Sequence, residues 1–268
     1  MIEFSCHTWA FNDLTLTEAL GTIARIGFRY ADLGSGAHFN PVKAAADSRR
    51  VVADIIGDLR VYNLKLADVY LLLPRISLAD DDARRYEIDQ FKTLLPVIRA
   101  IGAPGVTLSP GIAQPDDPDA YQRTVDALLE MSDAAGDDLS LSIEPHLESM
   151  AATPEQALQL VEAVPGLAIT LDVAQFVQQG LTLTDITPLL EHTRHVQVRQ
   201  AAKAKLQTPF NAGTVDFPGL MRALSTANYR GVVCVEYLRT TQDLHGMMPV
   251  EVIRETVKLR DALRTARK

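Results

Sequence analysis

The 268-residue sequence has no run of about eighteen apolar residues, only two cysteines, and fewer basic than acidic side chains. Each shortage removes a class of protein. Without a long apolar run no segment reads as a membrane-spanning helix. The two thiols, Cys6 and Cys234, make no disulfide framework. Both sit in apolar strand-like segments, which points to small core fillers and a reducing cytoplasm. A net charge of −8 argues against a surface that tracks a phosphate backbone, so neither a nucleic acid nor a membrane is expected as partner. The opening "MIEFSCHTWA" has no basic leader and no apolar core, so no signal peptide is expected and the cytoplasm is the expected location. Linkers, low-complexity stretches and shifts in composition are missing too, so one domain is expected over 1–268.

What is present is a regular alternation. Short β-rich runs occur at 2–6, 29–33, 65–70, 105–109, 139–144, 167–172, 194–199 and 231–236. Between them lie amphipathic stretches such as "LTEALGTIARIG", "YQRTVDALLEMSDAAG" and "TPEQALQLVEAV". The last opens with an N-cap threonine and a proline at the first helical position. Gly27, Gly102, Gly136 and Gly166 follow periodic runs, as helix C-caps do. Eight strands alternating with helices predict an α/β fold, a single (β/α)8 TIM barrel. A doubly wound open sheet would carry a glycine-rich phosphate turn after its first strand, and "HTWAFNDL" is no such turn. The acidic "LADDDARR" and "AQPDDPDA" read as solvated loops and caps, and the tail 258–268 as a solvated helix end.

In a parallel barrel the chemistry gathers where strands end. The last four strand candidates each end in, or carry just before their end, a polar residue: "LSLSIE" closes on Glu144, "LAITLD" on Asp172, "HVQV" carries Gln197, and "VVCVE" closes on Glu236. Carboxylates about 4 Å apart repel by roughly 4 kcal/mol at an effective dielectric near 20. Three such groups need a counter-charge or must bind protons. Arg199, Lys203 and Lys205 lie nearby in sequence. A divalent cation supplies the charge more compactly and accepts oxygen ligands, amide oxygens included. The plain alternative has each acid pairing with a separate arginine or capping a helix.

The order of Glu at strand 5, Asp at strand 6, His-x-His/Gln on strand 7 and Glu at strand 8 resembles the xylose isomerase-like superfamily of sugar isomerases and epimerases. "SIEPH", "LDVAQF", "HVQV" and "GTVDFPGLMRALSTANYRGVVCVEY" carry the resemblance along essentially the whole chain. It implies one divalent metal ion, manganese or magnesium foremost with cobalt or zinc as alternatives, held by Glu144, Asp172, Gln197 and Glu236. It also implies that Glu144 and Glu236 double as the catalytic acid/base pair. Glutamine at the strand 7 position resembles the hydroxypyruvate isomerase-like branch. The chain departs from the common pattern in two places: Asp-x-x-His becomes Asp172 to Gln175, and Lys-Asp becomes Arg199-Gln200. An oxygen-rich donor set of this kind favours magnesium or manganese over zinc.

Around that set, His7, His146, Gln175 and Arg199 are the expected substrate contacts. His7 lies beside Trp9 and Phe11, which suit the face of a sugar, and Arg199 suits an anionic group. Asp32 either binds a hydroxyl or caps, His38 lies in the loop "SGAHFNP", and His192, His195 and His245 are given no role. The expected activity is isomerisation or epimerisation of a small sugar or hydroxy-carbonyl compound through an enediolate. Two alternatives stay open: a dehydratase of cyclitols, keto-sugars or keto acids using the same site, and a non-catalytic barrel that supports a partner subunit. Abasic-site endonucleases share a related fold but need a histidine-rich multi-zinc centre and a basic face, which six histidines and this net charge do not supply. A homo-oligomer is compatible with the sequence, although no apolar stripe marks the surface it would use.

Overall fold

Helix boundaries follow from local chemistry. Thr153 caps the helix Pro154–Ala163 through a reciprocal box with Gln156, and Pro154 fills the first position, where no N–H is needed. Thr15 and Glu18 form the same box at the helix Leu16–Arg25. Gly27, Gly102, Gly136 and Gly166, expected as terminators, all take positive φ, between 65° and 88°. That is the left-handed conformation which lets the chain leave a helix without a Cβ clash.

These helices alternate with eight parallel strands in a computed structural model that describes residues 2–267. The strands are β1 (Glu3–His7), β2 (Tyr30–Gly34), β3 (Lys65–Leu71), β4 (Gly105–Leu108), β5 (Ser140–Ile143), β6 (Ala168–Asp172), β7 (Thr193–Val198) and β8 (Val232–Val235). Each pairs with the next, and β8 closes on β1, with Ser5 opposite Cys234. The chain is a closed (β/α)8 TIM barrel, as its alternation predicts. The expected unit 1–268 includes Met1 and Lys268, which lie outside the described residues. Among the described residues no helix is long and apolar enough to cross a membrane.

The outward faces of the strands supply the apolar core against the helices, through residues such as Phe4, Leu33, Val69, Val106, Ile143, Leu171, Val196 and Val233. The inside of the barrel is different. TIM barrels commonly fill it with branched apolar side chains, whereas here it is a hydrogen-bonded polar layer. His195 Nε2 on β7 lies 2.6 Å from Asp32 Oδ2 on β2, three strands away around the barrel. Arg194 Nη2 reaches Asp68 Oδ1 at 2.7 Å and Ser142 Oγ at 2.7 Å. Thr107, Ser142 and Thr170 bond one another, and Thr107 also donates to Asp68.

Two sequence expectations change at this point. His195, which had no assigned role, is buried and joins Asp32 Oδ2 across the barrel, so Asp32 does not serve as a helix cap. Cys6 does fill the apolar core, but Cys234 faces the polar interior, where its sulfur lies within 4.8 Å of ligand atoms of Asp32 and His195. Register irregularities next to Asp32 and Thr170 interrupt the simple two-residue alternation. They account for Arg194 and His195, adjacent in sequence, both making contacts inside the barrel.

The Arg194–Asp68 contact closes the interior. Asp68 is 1% exposed, and burial raises its pKa despite the arginine. Arg194→Ala, which strands a buried carboxyl, is expected to cost about 3–5 kcal/mol in denaturant unfolding, and adding Asp68→Asn is expected to restore part of it. Additive losses in the double variant would show that the two groups are not coupled.

Candidate active site

The mouth of the barrel gathers the four expected positions. Glu144 directly follows β5 and its N–H donates to the Leu108 carbonyl. Glu236 directly follows β8 and its N–H donates to the Val198 carbonyl, so each glutamate extends its ladder by one residue. Asp172 ends β6 opposite Gln197 on β7, and Gln197 is opposite Cys234 on β8. All four side chains are buried, at 0–6% exposure, although three are acids.

The counter-charge comes from Arg199. Its Nη2 lies 2.6 Å from Asp172 Oδ2 and 3.2 Å from Glu236 Oε2, and the residue is 3% exposed. Burial works against its charge, but Glu236 and Asp172 outweigh burial and hold its pKa above the ordinary value. The other candidate cations play no part here: Lys205 pairs with Asp243, and Lys203 lies along Gly180. Three carboxylates facing one guanidinium still leave an excess of negative charge. Burial, then Asp172, raises the Glu144 pKa. Burial also drives Glu236 well above its ordinary value, with Arg199 opposing and Glu144 and Asp172 adding to the shift.

Glu144 has a partner that the sequence did not advertise. Tyr70 on β3 donates its hydroxyl to Glu144 Oε2 at 2.5 Å. Tyr70 also packs against Trp9, with ring centroids 4.9 Å apart, and Trp9 packs against His7 at 4.3 Å. His7 Nδ1 accepts the Trp9 backbone N–H, so the ring proton sits on Nε2, which is buried with no hydrogen-bond partner among the described residues. Burial pushes the His7 pKa down to about 3, making it a neutral donor. Gly34 permits this arrangement: a Cβ there would collide with the Trp9 indole and the His7 ring.

Of the other expected contacts, His146 Nε2 lies 3.1 Å from Ser109 Oγ at the rim between β4 and β5. Gln175 is in the helix Val173–Val177, where its Oε1 accepts from Gln178. His38 bonds the Leu14 carbonyl and ties two loops together. Gln200 is structural: its Oε1 accepts from the Val215 and Ala201 N–H groups, pinning the loop after β7. Gln207 does likewise for the segment after β8, bonding both Leu238 backbone groups and the Met248 carbonyl.

The residues present suit a hard cation in their donor chemistry. Asp172 lies opposite Gln197 in the ladder, and the Gln197 Oε1 and Nε2 are both buried without a partner among the described residues. As arranged, however, Glu144, Asp172 and Glu236 do not close to within 4.8 Å of one another; among the described residues only Asp32, His195 and Cys234 do, one layer deeper. That deeper trio is a possible metal site by spacing, and its Asp–His members already bond each other.

A family model described as xylose isomerase-like TIM barrel matches residues 20–264. The fold is similar to that of a D-allulose 3-epimerase from Methylomonas sp., with TM-score 0.79 and 16% identity over 99% of this chain and 98% of that one. An L-ribulose 3-epimerase gives TM-score 0.78 and 16% identity, covering 100% and 96%. A 3-keto-D-glucoside 4-epimerase from E. coli gives 0.74 and 17%, covering 99% and 100%. No curated protein matches the chain in sequence. At these identities the likeness to the solved structures is one of fold.

The raised glutamate pKa values have a stability consequence. A carboxyl that holds its proton more tightly when folded makes the folded state lose stability as pH rises from the unfolded pKa through the folded one. Because its folded pKa is raised, Glu236 is therefore a net cost to the folded state at pH 8. In chelator-treated protein Glu236→Gln should raise Tm by on the order of 2 °C at pH 8, with a smaller difference at pH 5. A lowered Tm at pH 8 would show that the contact with Arg199 dominates instead.

Proposed function

The chain belongs to the xylose isomerase-like TIM barrel family, and from that premise we propose that it is a sugar epimerase or isomerase working through an enediolate. The observation that carries the reading is the pair Glu144 and Glu236. They are buried on strand ends three apart around the barrel, each with a raised pKa, and a guanidinium and an aspartate lie between them. A carboxylate shielded from water serves as general base for a C–H beside a carbonyl, and a carboxyl with a raised pKa serves as the partner acid. One glutamate removes the proton from the carbon next to the carbonyl, leaving an enediolate. The other delivers a proton to the opposite face of that carbon in epimerisation, or to the neighbouring carbon in isomerisation.

The remaining groups bind and orient. His7 Nε2–H, the Gln197 amide and the open Nε and Nη1 of Arg199 are buried polar groups without partners among the described residues, suited to the closely spaced oxygens of a sugar. Trp9 and Tyr70 form an apolar wall for its C–H face, and His146 and Gln175 line the outer rim. Tyr70 keeps one Glu144 oxygen in place. Glu144, Asp172, Gln197 and Glu236 would hold one divalent ion, magnesium or manganese by the hardness of these donors, with cobalt or zinc as alternatives. Such an ion supplies, when bound, positive charge that acidifies the C–H and stabilises the enediolate. We place the protein in the cytoplasm with a small sugar-like substrate.

The test is isotope exchange. Ketohexoses, ketopentoses and 3-keto-glucosides incubated in D2O with manganese should gain deuterium beside the carbonyl for at least one sugar. Glu144→Gln and Glu236→Gln should each slow that exchange by about 100- to 10,000-fold, the range for an acid/base group. Exchange at parental rates in both variants, or products lacking the elements of water, would overturn the assignment.

A further inference from the structure

Both oxygens of Asp172 at the barrel mouth are already engaged. Its Oδ1 accepts the Ala174 N–H at 2.9 Å and so caps the helix Val173–Val177. Its Oδ2 accepts from Arg199 Nη2 at 2.6 Å, and the same Nη2 reaches Glu236 Oε2 at 3.2 Å. A cation that takes Asp172 through Oδ2 takes the oxygen Arg199 holds. Two positive groups sharing one oxygen lie within roughly 4 Å of each other, and a divalent ion doubles the repulsion. The guanidinium is held at this end by those two contacts alone among the described residues, because Nε and Nη1 are buried without partners. It can withdraw from the acids without breaking any other bond at its head.

We propose that Arg199 is a resident counter-ion which a divalent cation must displace, so that metal binding and the Arg199 contacts to Asp172 and Glu236 exclude each other. The proposal rests on the reading that Glu144, Asp172, Gln197 and Glu236 take such an ion. Arg199 neutralises the acids while the ion is away and keeps the buried carboxylates from opening the barrel mouth. Displaced, the guanidinium stays at the mouth with its donors free, so loading the ion also presents a cationic fork to the substrate. Metal affinity in this chain is thus set low by its own side chain, and exchange replaces a charged group instead of filling an empty cage.

The experiment is manganese binding to chelator-treated protein, followed by calorimetry and by the paramagnetic resonance signal of free manganese, with Tm recorded in parallel. Arg199→Gln keeps a shorter hydrogen-bonding group and removes the charge. It should bind manganese about 100-fold more tightly than the parent. Without metal it should melt below the parent, and manganese should restore its Tm. Arg199→Lys, the milder change, should fall between the two and decides the matter if the glutamine variant does not fold. Asp172→Asn should weaken binding in every background. Equal or weaker binding by the Arg199 variants overturns the displacement. Binding that ignores Asp172→Asn also overturns it, because the ion then sits elsewhere. Manganese that binds none of the proteins removes both the displacement and the proposed ion, while the deuterium exchange test of the glutamates stands or falls separately.

Discussion

Three carboxyl groups sharing the mouth of a barrel set the terms for everything around them. Buried away from water, ionised carboxylates that face one another repel. Folding must therefore supply positive charge, donate hydrogen bonds or leave protons in place, and this chain does all three. Arg199 bridges Asp172 and Glu236, Tyr70 donates to Glu144, and the pKa values of both glutamates are raised. The Asp172 cap on the following helix fixes the acid that faces the arginine. Gln197, left with two unsatisfied amide atoms beside this cluster, is the clearest sign that the arrangement is completed by something it binds.

The layer beneath holds these groups in position. Asp32 and His195 link β2 to β7, and Arg194 ties Asp68 to Ser142 and Thr107. Burial alone would raise the Asp32 pKa, yet His195 holds it down at about 2. Above the mouth, Gln200 and Gln207 replace regular structure with buried amide contacts that fix the loops after β7 and β8. Gly213 lies so close to Gln200 that a Cβ there would collide with its amide. Rigid loops over a polar interior suit a site whose acids must not drift apart.

Much of this was legible in the sequence, for a physical reason. Strand periodicity, proline and glycine at helix ends, and acids closing apolar runs are local signals, and the eight strands fall within a residue of their expected bounds. Glu144, Asp172, Gln197 and Glu236 stood out because polar residues at the ends of apolar strands are costly unless used. Tyr70, Asp32, His195 and Arg194 did not stand out, since their partners lie 52 to 163 residues away and only closure brings them together. The register shift beside Thr170 hid the inward turn of both Arg194 and His195. Gln200 had no local explanation because one of the two N–H groups it satisfies belongs to Val215, at the far end of a loop.

Arg199 links the two levels: as a residue at a strand end it suggested substrate binding, and in the fold it is first the partner of the acids. The most direct test of that account is a pair of crystal structures, one from chelator-treated protein and one soaked in manganese and measured for anomalous scattering. The account predicts the guanidinium against Asp172 and Glu236 in the first. In the second it predicts an anomalous peak among Glu144, Asp172, Gln197 and Glu236, with the guanidinium moved off Asp172. An anomalous peak there with Arg199 unmoved, or a peak only at Asp32, His195 and Cys234, would contradict it.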